Sequence, residues 1–340
     1  MSQKGAVNLI DIYFEPDYGR LYEKVENGTF EIFDFEHTFG KIQHMYIKRK
    51  IPEQIDAGDY YDIVTPYGYG GPVILESHGE YREELVREFH KAFARHCAHQ
   101  RIVSEFIRFH PLLDNAKDFQ EVYDVHFMRP TVGTNLLAHN NPVNVELSKS
   151  ARKNIRRALR EGVKYRVNEN PDNLEAFKQV YYTTMNRKNA DAYYYFNDEY
   201  FDALINTLGN YLIVTEALYK GKIIGMMLTF KYNKILHTHL SGTYEEYHHL
   251  YPVYVMQYAI TRWGKEKGYH LLHGGGGLTN SLDDSLYLFK KQFGKHESSG
   301  FQVGKKVWNS EIYSALCKFT DANSDDGFFP AYRAKASCKV

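Results

Sequence analysis

Tyr269-His270-Leu271-Leu272-His273-Gly274-Gly275-Gly276-Gly277 and, after a short polar turn, Ser285-Leu286-Tyr287-Leu288-Phe289-Lys290-Lys291-Gln292-Phe293-Gly294 are the residues on which the fold turns. The first run is a short apolar strand that ends in a flexible glycine loop. The second is a helix over 283–293 whose buried stripe is Leu286, Phe289 and Phe293, with Asp283 or Asp284 as its cap. Just ahead, 252–267 reads as an amphipathic helix opened by Pro252. Further back lie strands over 211–219, 222–232 and 235–242, preceded by helices over 173–188 and 198–208. A strand over 300–308 follows. Helix, helix, strand meander, helix, strand, helix, strand is an α/β order with a mixed sheet flanked by helices.

The preceding residues are also α/β. Runs over 30–35 and 42–51 alternate around His37-Thr38-Phe39-Gly40 and predict a hairpin. A strand over 60–64 enters Thr65-Pro66-Tyr67-Gly68-Tyr69-Gly70-Gly71-Pro72, whose glycines and prolines require a loop with several special backbone angles. A helical stripe of Leu85, Phe89, Ala92, Phe93 and His96 lies within 80–99, and strands follow over 102–109 and near 122–127. In both halves a long amphipathic helix runs almost at once into a strand, which suggests a structural duplication without a visible repeat. The expected domains are 1–150 and 151–309, with a tail over 310–340 that packs back on the first.

With 340 residues, 42 basic and 42 acidic, the chain is long enough for two cores and has no global charge to draw it to nucleic acid or membrane. It is rich in rings, 29 Tyr and 21 Phe against 2 Trp, and exposed rings are stacking platforms for sugars or bases. Met1-Ser2-Gln3-Lys4-Gly5 is polar, and the apolar run 223–230 is far shorter than the roughly 20 residues of a spanning helix. Cys97, Cys317 and Cys338 are too few and scattered for a disulfide framework or zinc site, so a reducing cytoplasm is the expected location.

There is no G-x-S-x-G, H-E-x-x-H, Walker loop or G-x-G-x-x-G after a strand. His273-Gly274-Gly275-Gly276-Gly277 is either a turn or a loop whose N–H groups meet an anion or a carbonyl oxygen. His237 and His239, two apart on a strand, share a face, but with only His248 and His249 nearby no complete ligand set is indicated, and no metal is expected. A basic helix over 148–162 carries Arg152, Arg156 and Arg160 along one face; it is a phosphate-binding surface or a solvated one. Lys290 and Lys291 stand just off an aromatic stripe, beside the glycine run.

Asp62 to Pro72, Lys153 to Val163, Tyr251 to Gly277 and Ser285 to Gly294, in this order and spacing, resemble the FemAB (Fem-type) branch of the GNAT acyltransferase superfamily. The F-K-x-x-F-G helix behind a Gly-rich strand end is the most specific of them. The resemblance implies two GNAT-like domains forming a cleft. It also implies transfer of an aminoacyl or acyl group to an amine of a peptidoglycan precursor or amino sugar. No sustained heptads occur, so no coiled-coil arm is expected. The lysine after the Phe of the last helix lies at the transfer site in that family, and here it is Lys290. One departure is Ser241 to His249, which carries Glu245 and Glu246 where ordinary GNAT enzymes hold the pyrophosphate of acyl-CoA on a basic, Gly-rich loop. A second is Glu76, one position late for an acidic residue that some relatives carry.

The resulting expectation is an amide-forming transferase without a resident cofactor. Its donor is an aminoacyl-tRNA rather than acyl-CoA, and its acceptor a nucleotide-linked or lipid-linked precursor. It acts in the cytoplasm or peripherally at the inner face of the membrane. Lys290 and backbone amides near Gly275 and Gly276 stabilise the oxyanion; Tyr69, Tyr194 and Tyr254 join the three arginines as substrate contacts. Tyr193 to Phe196, Tyr200 and Phe201 line an acceptor cleft or fill the core. The alternatives are an acyl-CoA-dependent N-acyltransferase of a sugar amine and a non-catalytic module that binds a glycan or nucleotide-sugar.

Overall fold

A computed structural model describes residues 10–56, 58–295, 297–322 and 327–334; Met1–Gly5 and Cys338 lie outside them. Two compact units are formed, one by the described residues up to Met128 and from Phe301 onward, the other by Arg129–Gly300. The limits fall earlier than 150 and 309 because they lie inside two strands, where composition does not change.

The first unit opens with short helices α1 (Pro16–Leu21) and α2 (Glu23–Glu26). Strands β1 (Gly28–His37) and β2 (Gly40–Lys50) then make the predicted hairpin, in register from Gly28–Arg49 to His37–Gly40. β3 (Tyr61–Val64) and β4 (Val73–Ser77) both pair with β2. Helix α3 (Arg82–His99) returns the chain to β5 (Ile102–Arg108), which is parallel to β3. Leu85, Phe89, Phe93 and Cys97 form the buried face of α3, against Ile42, Tyr46, Ile63 and Ile107; such a stripe, more than propensity, fixes a helix on a sheet. A short α4 (Asn115–Phe119) leads to β6 (Asp124–Asn135), which carries the chain into the second unit.

There α5 (Pro142–Glu146), α6 (Lys149–Arg160) and β7 (Lys164–Glu169) precede α7 (Glu175–Arg187) and α8 (Asp198–Leu208). The predicted meander is β8 (Leu212–Tyr219), β9 (Lys222–Tyr232) and β10 (Ile235–Thr243). Helix α9 (Pro252–Glu266) crosses over to β11 (Leu271–Gly276), and α10 (Ser285–Lys291) follows. The strand order is β6-β11-β10-β9-β8-β7, with Val255, Met256 and Ile260 of α9 packed on Ile213, Met227, Leu236 and Leu272. α7 approaches β10 so closely that a Cβ on Gly242 would stand 2.5 Å from the Val180 carbonyl oxygen. β12 (Glu297–Val307) returns to the first unit, where it pairs with β5, and α11 (Ser310–Phe319) follows. The tail's Tyr332 and Arg333 both hydrogen-bond the buried Asp62 carboxylate.

Candidate functional site

The parallel ladder between β10 and β11 holds for three residue pairs, Ile235–Leu271, Leu236–Leu272 and His237–His273. A register shift then bends β10 between Thr238 and Leu240, and another bends β11 between His273 and Gly275, where Gly275 takes φ 71°. Beyond these bulges β10 follows β9, while β11 follows β6 with Gly275 opposite Val132 and Gly276 opposite Thr131. A wedge therefore opens between the carboxyl ends of two parallel strands, the place where open α/β sheets take ligands. Gly274–Gly276, expected as a flexible loop, are instead a strand end: glycine lets this strand bend and lie close to β6, so the run shapes the sheet.

Asp284 fastens the turn after β11 to α10. Its Oδ1 accepts from the amide of Tyr287 at 2.8 Å as the helix cap, and its Oδ2 accepts from the amides of Leu278 and Thr279 at 2.9 and 2.8 Å and from the Thr279 hydroxyl at 3.1 Å. These donors, the Tyr287 amide foremost, hold its pKa down to about 2. The clamp sets the start of a helix only two turns long, and thereby Lys290.

The Lys290 Nζ donates to the Gly276 carbonyl oxygen at 2.8 Å, at the tip of β11. Desolvation, reinforced by the nearby charges of Arg129 and Lys188 and opposed by Asp284, brings its pKa down to about 8. Arg129, on β6, donates from Nη1 to the Gly277 carbonyl oxygen at 2.6 Å, and a Cβ on Gly276 would stand 3.0 Å from its side-chain carbons. Lys291 instead lies over the Tyr287 ring at 5.8 Å.

On the β10 side of the wedge the Thr184 hydroxyl accepts from the Thr243 amide at 2.8 Å, and Arg187 donates to the Thr243 carbonyl oxygen at 3.1 Å. Arg187 also meets the His248 Nε2 at 3.1 Å; burial and this cation lower the pKa of His248. His239 is 3.0 Å from the Tyr200 hydroxyl, and burial takes its pKa down to about 3, so the ring is neutral. His237 pairs through Nδ1 with His273 at 3.3 Å. The two histidines thus meet different rings, Tyr200 for His239 and His273 for His237, while the charge of His237 also acts on His239. Glu245 and Glu246 are exposed in a 3₁₀ turn ahead of α9, whose N1 residue is Pro252.

The expected site residues are therefore partly gathered. Lys290, Gly275 and Gly276 meet at the tip of β11. Tyr254 packs against Phe289 and Phe293 at 5.5 and 5.2 Å, bracing the helix that carries Lys290. Tyr194 is exposed beside Tyr193 at 5.6 Å, while Phe196, Tyr200 and Phe201 are core. Tyr69 belongs to the first unit, in a cluster with Tyr13, His110 and Phe301. Arg152 is turned back onto the carbonyl oxygens of Asn144 and Leu147, Arg156 borders a separate cavity, and Arg160 is exposed outside that cavity's lining. Arg129, Arg187 and Lys188 escaped the sequence reading. The strand expected near 122–127 continues to Asn135, through Pro130, and Arg129 sits next to that proline.

Residues 147–291 match the family model of an acetyltransferase (GNAT) domain. A UDP-N-acetylmuramoylpentapeptide-lysine N(6)-alanyltransferase of Weissella viridescens is 26% identical over 167 residues. That match spans 48% of this chain and 48% of the relative, about half of each. The crystal structure of FemX superposes with a TM-score of 0.69 over 91% of this chain and 95% of its own, at 11% identity. L-PGS from Bacillus licheniformis follows at 0.52, over 89% and 95%, at 14% identity. The resemblance read from the sequence is borne out: the chain is similar to a Fem-type alanyltransferase, its residues 147–291 match a GNAT domain, and its fold is similar to that of FemX.

Proposed function

We propose that the wedge between β10 and β11 is the transfer site of an amide-forming aminoacyltransferase whose acceptor is an amine of a cell-wall precursor. The observation that carries the reading is Lys290, an ammonium held at the tip of the open strand by Gly276. An ammonium has three N–H donors, and Gly276 takes one. Attack of the acceptor nitrogen on the donor's ester carbonyl forms the N–C bond and puts negative charge on the carbonyl oxygen. A cation fixed in a partly desolvated place lowers the energy of that oxyanion. Collapse then breaks the C–O bond, and the proton lost by the amine ends on the departing ribose hydroxyl. Gly275 and Gly276 pair in register with Val132 and Thr131 of β6, and Lys290 is the cation assigned to the oxyanion beside them.

The donor is an aminoacyl-tRNA rather than acyl-CoA. A CoA pyrophosphate needs convergent N–H groups and positive charge at a helix start, and here Glu245 and Glu246 precede a helix opened by proline. The Weissella relative, an alanyltransferase named for a muramoylpentapeptide lysine, supports a peptidoglycan precursor as acceptor, carried on a nucleotide or on a lipid. Among the described residues no helix is long and apolar enough to cross a membrane; the reaction is assigned to the cytoplasm, peripherally at its membrane face when the precursor is lipid-linked. The test is mass spectrometry of a nucleotide-linked and a lipid-linked muropeptide after incubation with charged tRNA. The expected product is heavier by one aminoacyl residue. Tight calorimetric binding of acetyl-CoA, with acetylation of an amino sugar and no aminoacyl product, would replace this reading by the N-acyltransferase one.

A further inference from the structure

A cavity of about 470 Å³ lies among α5, α6 and α9 of the second unit. Arg152 and Arg156 enter its lining from α6, and Arg262 and Lys265 from α9. One carboxylate, Glu266, also borders it and is paired with Arg262 at 3.0 Å. Four cations against one carboxylate around a concave space differ from a solvated basic helix face, where like charges spread apart into water. Three of them are held by the protein's own acceptors. Arg152 donates to Asn144 and Leu147 carbonyl oxygens at 2.7 and 2.5 Å, Lys265 to that of Leu137 at 3.3 Å, and Arg262 to the hydroxyls of Tyr165 and Tyr258 at 3.3 Å. A pre-positioned cation loses less side-chain freedom when an anion arrives.

We propose that this cavity binds a nucleoside phosphate, either a free mononucleotide or a unit of an RNA strand. Guanidinium groups pair with phosphate oxygens two at a time. A phosphate alone would leave most of the space empty, whereas about 300–1,000 Å³ is the size of sites for organic ligands. The remaining lining has the groups a nucleoside needs: Tyr258 with the Arg262 guanidinium 5.7 Å from its ring centre, and the Asn140 and Asn141 amides. Bases stack on tyrosine rings and guanidinium planes, and their edges pair with amides. The floor residues Ile155, Leu159 and Tyr258 share one apolar cluster with Phe289 and Phe293, on either side of Lys290, so the cavity is packed onto the helix that carries the proposed transfer lysine.

The assignment is independent of the transfer reading, and Lys290→Met, which tests that reading, should leave it intact. The test is titration of the full chain with a mononucleotide (AMP or UMP), a labelled twelve-nucleotide single-stranded RNA and inorganic phosphate at several salt concentrations. Wild type should bind at least one nucleotide probe more tightly than phosphate. Arg156→Glu with Lys265→Glu should weaken it tenfold or more, and for RNA should flatten the salt dependence by about 1.4, at roughly 0.7 per contact. Tyr258→Leu should weaken it severalfold while leaving the salt dependence unchanged. Equal affinity for mononucleotide and RNA identifies the free nucleotide as the source; retention of RNA alone identifies the strand. The proposal fails if neither probe binds, if phosphate binds as well as the nucleotides, or if the double variant binds like wild type. Arg156→Gln with Lys265→Gln, and an unchanged melting profile, separate lost binding from lost folding.

Discussion

Each unit contains the same device, a parallel strand pair joined by one long helix: β3 and β5 with α3 in the first, β10 and β11 with α9 in the second. They differ at the carboxyl ends. In the first unit the pair runs from Tyr61–Ile102 to Val64–Phe106, and the loop beyond it keeps bonding β5. The Thr65 amide donates to the Phe106 carbonyl oxygen, the Arg108 amide to the Thr65 hydroxyl, and the Gly70 amide to the Arg108 carbonyl oxygen at 2.7 Å. Gly71 then lies so near β5 that a Cβ would stand 2.7 Å from the Ile107 methyl. In the second unit two bulges part the strands after His237–His273, and the turn that follows β10 does not return to β11. Topology supplies a potential crevice in both; the loop chemistry that follows the first strand decides whether it is sealed or open.

The comparison breaks most directly at two lysines. Lys290 donates to Gly276 in the open unit and Lys306 donates to Val122 in the sealed one, both at 2.8 Å, and burial lowers the pKa of both. Lys290→Met should reduce aminoacyl transfer by roughly 10²–10³-fold, the effect of removing one oxyanion donor. Lys306→Met should leave it within about threefold. Equal losses in single-turnover rates would mean that chemistry does not distinguish the two crevices.

A smaller effect reports on the seal itself. Gly71→Ala places a methyl group against Ile107 at φ 85°, so urea unfolding should show a loss of about 1–3 kcal/mol. Gly162→Ala has φ 93° and open space around it, so it carries the conformational strain alone. The excess of the first over the second measures the close approach. Equal losses would show that Gly71 is there for its backbone angle and not for the seal.

The sequence made this difference only half legible. Helices and meander follow from period 3.6 and period 2, and 222–232 was read to the residue because both its ends are turns. Thr65 to Pro72 announced a loop of special angles, although its bonding to β5 is a long-range contact that local composition does not contain. Gly274–Gly276 read as a loop because glycine signals freedom, whereas here it admits a bend beside β6. Asp284 was legible as a helix cap, but its three further hydrogen bonds to Leu278 and Thr279 depend on how the turn folds back. Lys290 was marked by resemblance, since spacing alone made it a surface lysine. Arg262 and Lys265 occupy the polar face of α9, and nothing local to them says that α6 brings two more cations across a cavity.

The smallest effect concerns protonation and separates Lys290 from an ordinary surface lysine. Its pKa of about 8 lies below the usual 10.4 because the ammonium is desolvated near Arg129 and Lys188. The folded protein therefore releases this proton earlier than the unfolded chain. Unfolded chains bind more protons between about pH 8 and 10.5, so stability rises with pH across that window. Relative to Lys290→Met, wild type should then gain in urea midpoint from pH 8 to 10, the reverse of a lysine stabilised by a carboxylate. For transfer the sign is opposite. Only the charged form stabilises the oxyanion, so the rate should fall about tenfold per unit above pH 8 once the acceptor amine is deprotonated. Lys290→Arg keeps its charge and should lose that alkaline limb, whatever its absolute rate. Titration of Lys290 by nitrogen-15 side-chain NMR gives the pKa directly. A midpoint near 10.4 would show that the Lys290 ammonium is not desolvated beside β11, and the same alkaline limb in the arginine variant would assign that limb to another group.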